Sequence, residues 1–288
     1  MSKPSFIGLG VQKCASTWIH RILEDHPQVT VSSPKELDFF SYHYHFGFAW
    51  YESHFSEALA TGENSPSYFC DSRAAERVYR YHPDMKIIVC LRDPIARIIS
   101  HHAHEVRLGH VDARLTFTEA LENNPMYIDQ SMYAKYLDIW LSTFPENQVL
   151  ILLQEDIKKQ PSMVARDVYQ FLGVDSDYQS VFLERKANPS QQAKSDFFEG
   201  GLKKTAKFLR LLGLDSMVKN IKSVSWIRAI RQSNMQNIHE NLPRMTESEM
   251  QHLDAVFRDD IRDLQKMTNL DLCAWPTYQR CFGTADVK

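Results

Sequence analysis

Three clusters along this chain put charged side chains where a charged group could be bound and attacked. The first, Gln12-Lys13-Cys14-Ala15-Ser16-Thr17, follows the apolar run Phe6-Ile7-Gly8-Leu9-Gly10. Small residues let backbone N–H groups approach an anion at a helix N-terminus, and Lys13 adds positive charge. The loop is neither a Walker A motif nor a GxGxxG fingerprint, because Gln12 and Cys14 flank the lysine. A tight turn carrying a solvated lysine is the other reading. The second cluster is Leu91-Arg92-Asp93-Pro94, with Ser100 about two turns into the following helix; Arg92 and Ser100 can grip a second anion. Pairing of Arg92 with Asp93 or a C-terminal carboxylate is the alternative there. The third is Pro34-Lys35-Glu36-Leu37-Asp38-Phe39-Phe40, where a carboxylate beside bulky aromatics is desolvated and suited to general-base work. A surface ion pair of Lys35 with Glu36 competes with that reading.

The elements that must position these clusters are legible in part. Phe6 to Gly10 is a strand, and Trp18, Ile19, Ile22 and Leu23 at helical spacing predict a helix over Ser16 to Asp25. Lys86 to Leu91 is an unbroken apolar strand, followed by Asp93 as N-cap and Pro94 at the first helical position of a helix running through His104. Gln148 to Leu153 is a third strand, between helices at Tyr133 to Phe144 and Pro161 to Leu172, the latter stopped by Gly173. Strands alternating with helices predict a parallel, doubly wound α/β sheet, whose ligands sit beyond the carboxyl ends of the strands. Past Gly173 the reading turns helical, with Thr246-Glu247-Ser248-Glu249 as a capping box before a helix ending near Asn269.

Composition bounds the function. With 43% hydrophobic and 24% charged residues the chain is an ordinary globular protein, and a net charge of -3 removes the electrostatic case for a nucleic-acid binder. Five cysteines without a CxxC pair indicate free thiols, a reducing compartment and hence a cytoplasmic address. His101, His102, His104 and Glu105 look metal-like, but only His101 and Glu105 share a helical face, so no metal is expected. The one charge asymmetry is 203–231, where eight basic residues stand against Asp215 alone, interleaved with apolar ones. Such a segment can lie on an anionic membrane surface, cover the site, or pack on the core with a solvated basic face.

Taken in order, KCASTWIHRILEDHP, PKELDFF, GENSPSYF, LRDPIARIISHH and SMYAKYLDIWLSTFP with QEDIKKQP resemble the sulfotransferases that use 3′-phosphoadenosine 5′-phosphosulfate (PAPS), in the bacterial and heparan-type carbohydrate branch. The resemblance covers about residues 5–175. It implies a P-loop-like three-layer sandwich with a central parallel sheet, a single domain over 1–288, with a nucleotide-binding core at 1–175 and a mainly helical extension at 176–288. It further implies that Gln12, Lys13, Cys14, Ala15, Ser16, Thr17 and Trp18 hold the 5′-phosphosulfate, and that Arg92 and Ser100 hold the 3′-phosphate. Glu36 is then the base, Lys13 the catalytic cation and Lys35 a second donor, with His43 and His45 as alternative bases. PAPS would be the donor, adenosine 3′,5′-bisphosphate the product, and a saccharide, lipid or small molecule the acceptor, met by Glu63, Tyr42 and Phe40. Asn64 stands where heparan-type enzymes commonly carry lysine, and the family's late Lys-Gly-Arg loop has no match. A P-loop-type kinase using ATP and a non-catalytic nucleotide- or membrane-binding relative are the rival readings.

Overall fold

The computed structural model describes residues 3–183, 191–193, 235–237 and 242–283. The basic segment 203–231 lies outside the described residues. The contacts divide the chain into two compact units, the larger formed by 1–102, 117–188 and 245–288.

The larger unit is built on five parallel strands in the order β2-β3-β1-β4-β5. They are β1 (Phe6–Gly10), β2 (Val29–Val31), β3 (Ala60–Asn64), β4 (Lys86–Leu91) and β5 (Val149–Leu153). β1 lies between β3 and β4, pairing Phe6 with both Gly62 and Lys86. Every residue of β1 and β3 is buried, as a sheet covered on both faces demands.

Helices flank the sheet: α1 (Ser16–Glu24), α2 (Gly47–Glu52), α3 (Ala74–Tyr81), α4 (Pro94–Leu108), α5 (Phe117–Asn123), α6 (Met126–Asp129), α7 (Tyr133–Thr143), α8 (Gln154–Lys159) and α9 (Pro161–Leu172). Asp93 caps α4 as expected, accepting from Ala96 N at 2.9 Å, although the helix continues four residues past His104 to Leu108. Buried Arg97 fixes α4, donating from Nε to Ser131 Oγ and from Nη2 to the Tyr127 carbonyl. Asp260 receives the amides of Ala134 and Lys135, both at 3.2 Å, and so neutralises the positive end of α7.

In the other unit, β6 (Gln191–Ala193) and β7 (Met235–Asn237) form a short antiparallel ladder. This departs from the helical expectation past Gly173, because three-residue strands are too short to leave a period-two pattern. α10 (Glu247–Thr268) and α11 (Pro276–Phe282) return to the larger unit. α10 starts at the expected capping box, with Thr246 and Glu249 bonded reciprocally, and ends at Asn269 in the left-handed conformation. No helix among the described residues is long and apolar enough to cross a membrane.

Candidate active site

The loop after β1 is shaped by backbone strain. Lys13 and Ala15 have φ of 71° and 63°, a left-handed conformation that costs an L-residue about 1–3 kcal/mol and persists where the surroundings enforce it. Alternation of this kind turns successive N–H groups into one concavity, the arrangement that binds anions. Among the described residues, the N–H groups of Gln12, Ala15 and Ser16 donate to no protein acceptor. Cys14 does not share in this. Its N–H is bonded to the Val11 carbonyl at 3.0 Å, and its thiol lies in the core against Tyr133, where burial pushes it up to about 11.

Arg92, at the end of β4, reaches the same loop, donating from Nη1 to the Lys13 carbonyl at 3.4 Å. Among the described residues its Nε is buried without a hydrogen-bond partner, a costly state that an anion would relieve. The alternative pairing with Asp93 is not made: Asp93 receives the N–H groups of Ala96 and Thr277. Ser100 is half-buried on α4. Trp18 is a correction, since its ring is 5% exposed in the core and its indole N–H donates to the Leu183 carbonyl.

The desolvation expected at Glu36 is absent. Its side chain is 47% exposed and bonds Lys35 Nζ at 2.6 Å, the ion pair that was the competing reading. The buried carboxylate is Glu63, on β3, which has no solvent exposure and receives Tyr68 OH, Ser65 Oγ and the Leu37 N–H. Burial pushes it up to about 7 against these hydrogen bonds, which pull it down. Glu63 and Phe40, both expected at the acceptor, are therefore corrected to interior positions; Phe40 packs edge-on against Tyr51 and Tyr68. Tyr42 is 68% exposed on the five-residue π-helical segment Phe39–His43. His43 stacks on Phe46, and His45 packs against the same ring.

A cleft of about 490 Å³, missed by sequence reading, opens beside the Lys35–Glu36 pair. It is lined by Thr17, His20, Arg21 and Glu24 of α1 and by residues 29–33 and Lys35. Most of its polar groups are hydroxyls and cations. His20 is lowered to about 4, first by burial and then by the charges of Lys35 and Arg21. His101 and His102 contact Arg97 and Tyr127, and among the described residues no group of three or more His, Cys, Asp or Glu is placed to hold a metal.

The two shifted groups predict opposed pH effects on stability. Between 4.5 and 7 the folded state keeps a proton on Glu63 that the unfolded chain releases, so this group's stabilisation falls as pH rises. Between 4 and 6.5 the unfolded chain holds a proton that folded His20 refuses, so stability rises. In urea unfolding across the shared window, the Glu63→Gln minus parent difference should climb with pH, with a slope approaching ~1.4 kcal/mol per unit. The His20→Gln difference should fall by a similar amount. Two flat difference curves would refute the assignment.

With this geometry in view, the relatives are informative. Residues 3–268 match the sulfotransferase domain family, and the chain belongs to that family. The chain is 32% identical over 181 residues to heparan sulfate glucosamine 3-O-sulfotransferase 3B1 of Mus musculus, covering 59% of this chain and 46% of that one. It is 30% identical over 200 residues to the bifunctional heparan sulfate N-deacetylase/N-sulfotransferase 3 of Homo sapiens, covering 61% of this chain and 23% of that one. The matched region thus spans less than half the length of these relatives. The solved structure of a sulfotransferase from Alicyclobacillus acidocaldarius superposes with a TM-score of 0.69 over 96% of this chain and 99% of that one, at 22% identity. This bears out the expected P-loop-like fold, a central parallel sheet flanked by helices.

Proposed function

We propose that this chain transfers the sulfuryl group of PAPS to a saccharide hydroxyl by in-line displacement, with Glu36 as the base. The observation that carries the reading is the strained loop at Lys13 and Ala15, with amides of Gln12, Ala15 and Ser16 unspent among the described residues, beside an Arg92 whose Nε finds no partner there. A nucleotide with phosphates at both ends of its ribose suits two such groups at adjacent strand ends. When bound, PAPS supplies an activated sulfuryl group.

The chain's own residues do the rest. The loop amides and Ser16 and Thr17 hold the 5′ end, and Lys13 meets the negative charge that grows on the bridging oxygen as the S–O bond breaks. Arg92 and Ser100 hold the 3′-phosphate. Glu36 takes the proton from the acceptor hydroxyl, and Lys35, 2.6 Å from it, orients the carboxylate and offers a donor toward the sulfonate. The hydroxyl-lined cleft with Arg21 and Lys35 suits a polyhydroxylated acceptor carrying negative charge, and the relatives' names point to heparan chains.

Calorimetric titration with adenosine 3′,5′-bisphosphate tests the donor. The bisphosphate should bind far more tightly than AMP, and Arg92→Ala should weaken it ~10–100-fold, the worth of one or two charged hydrogen bonds. Equal affinity for AMP would overturn the reading. Labelled PAPS offered with desulfated heparan chains then tests the acceptor class.

A further inference from the structure

Three successive backbone amides immediately after Glu36 are received by three side chains of one distant segment. Leu37 N donates to Glu63 Oε2 at 3.2 Å, Asp38 N to Ser65 Oγ at 3.0 Å, and Phe39 N to Tyr68 OH at 2.8 Å. The acceptors are themselves joined, since Ser65 Oγ and Tyr68 OH both donate to Glu63. Ser67 completes the set, donating to Asp38 Oδ1 at 2.5 Å and bonding Ser41 Oγ at 2.7 Å. Asp38 is held in the left-handed conformation, with φ of 50°, at the start of the π-helical segment.

This arrangement is expensive. A carboxylate with no solvent exposure loses its hydration, and its hydrogen bonds offset only part of the cost. A valine at this place in β3 would bury more cheaply. What the carboxylate and its hydroxyls provide that valine cannot is a fixed path for the backbone leaving Glu36.

We propose that Glu63, Ser65 and Tyr68 are positioning residues, holding the chain behind Glu36 so that its exposed carboxylate meets the acceptor hydroxyl in one geometry. The proposal rests on the reading of Glu36 as the base. A side chain 47% exposed and, among the described residues, tied only to its neighbour Lys35 takes its place largely from its backbone. A displacement of about 1 Å can cost ~100-fold in rate.

The test compares Glu63→Gln, Ser65→Ala, Ser65→Thr and Tyr68→Phe in the full chain. The rate of adenosine 3′,5′-bisphosphate release from PAPS is measured with desulfated heparan chains present, water serving as acceptor if the chains do not. Hydrogen exchange at the amides of Leu37, Asp38 and Phe39 is followed in parallel. The expected result is a rate loss of ~10–100-fold in all but Ser65→Thr, faster exchange at those amides, and bisphosphate affinity within about twofold of the parent. In a Glu36→Gln background the same substitutions should cost nothing further. Unchanged rates, a parallel fall in affinity and rate, or an undiminished loss without Glu36 would each overturn the proposal. Should Glu36→Gln alone leave the rate intact, the base assignment falls instead, and the exchange data still decide whether the amides are held.

Discussion

Lys13→Ala should lower turnover of PAPS by ~10²–10³, about 3–4 kcal/mol, the usual cost of removing one group aimed at charge that develops in the transition state. Adenosine 3′,5′-bisphosphate affinity should fall much less, because the loop amides and Arg92 remain. The substitution is a clean one for the backbone: alanine accepts the φ of 71° no better and no worse than lysine, so the loop keeps its shape. Steady-state release of the bisphosphate, set beside calorimetry on the same variant, separates the two effects. Equal losses in turnover and affinity would assign Lys13 to uniform binding and leave the leaving group without its cation.

The largest effect on stability is expected at Gly62. A Cβ there would stand 2.1 Å from the Phe6 carbonyl oxygen, which is backbone of the paired central strand and has nowhere to move. Gly62→Ala should therefore cost more than ~4–5 kcal/mol, a large share of the total stability of a domain, and remove the protein from the soluble folded fraction. The check is the circular dichroism melt of whatever protein can be recovered. A melting temperature within a few degrees of the parent would show that β1 and β3 can separate locally without loss of the sheet.

The parts of the fold that were legible are those where burial and hydrophobicity agree. β1, β4 and β5 are apolar runs, and their strand ends led directly to Lys13 and Arg92. β2 and β3 escaped because the first has three residues and the second is Ala-Thr-Gly-Glu-Asn, buried throughout yet polar in composition. A strand that buries Glu63 and Asn64 reads as a loop until its partners are known. The same feature explains the misplaced desolvation: the aromatics after Glu36 surround the backbone, while the carboxylate they were expected to shield points to solvent and pairs with Lys35. The run from Phe39 to Tyr51 was ambiguous because it is genuinely divided, Phe39, Phe40 and Tyr51 serving the core and Tyr42, Phe46 and Phe48 standing exposed.

The central place of β1 also sets a timetable for synthesis. β1 is synthesised before both of its neighbours, which follow 56 and 80 residues later, at Gly62 and Lys86. At a synthesis rate of ~5–20 residues per second, an apolar strand with both edges open waits for several seconds before either partner exists. Until β4 arrives the anion loop has no second wall, since Val11 is tied to Cys90 and Lys13 to Arg92. Phe-Ile-Gly-Leu-Gly must therefore stay unpaired in the nascent chain until the residues of β3 and β4 have been made.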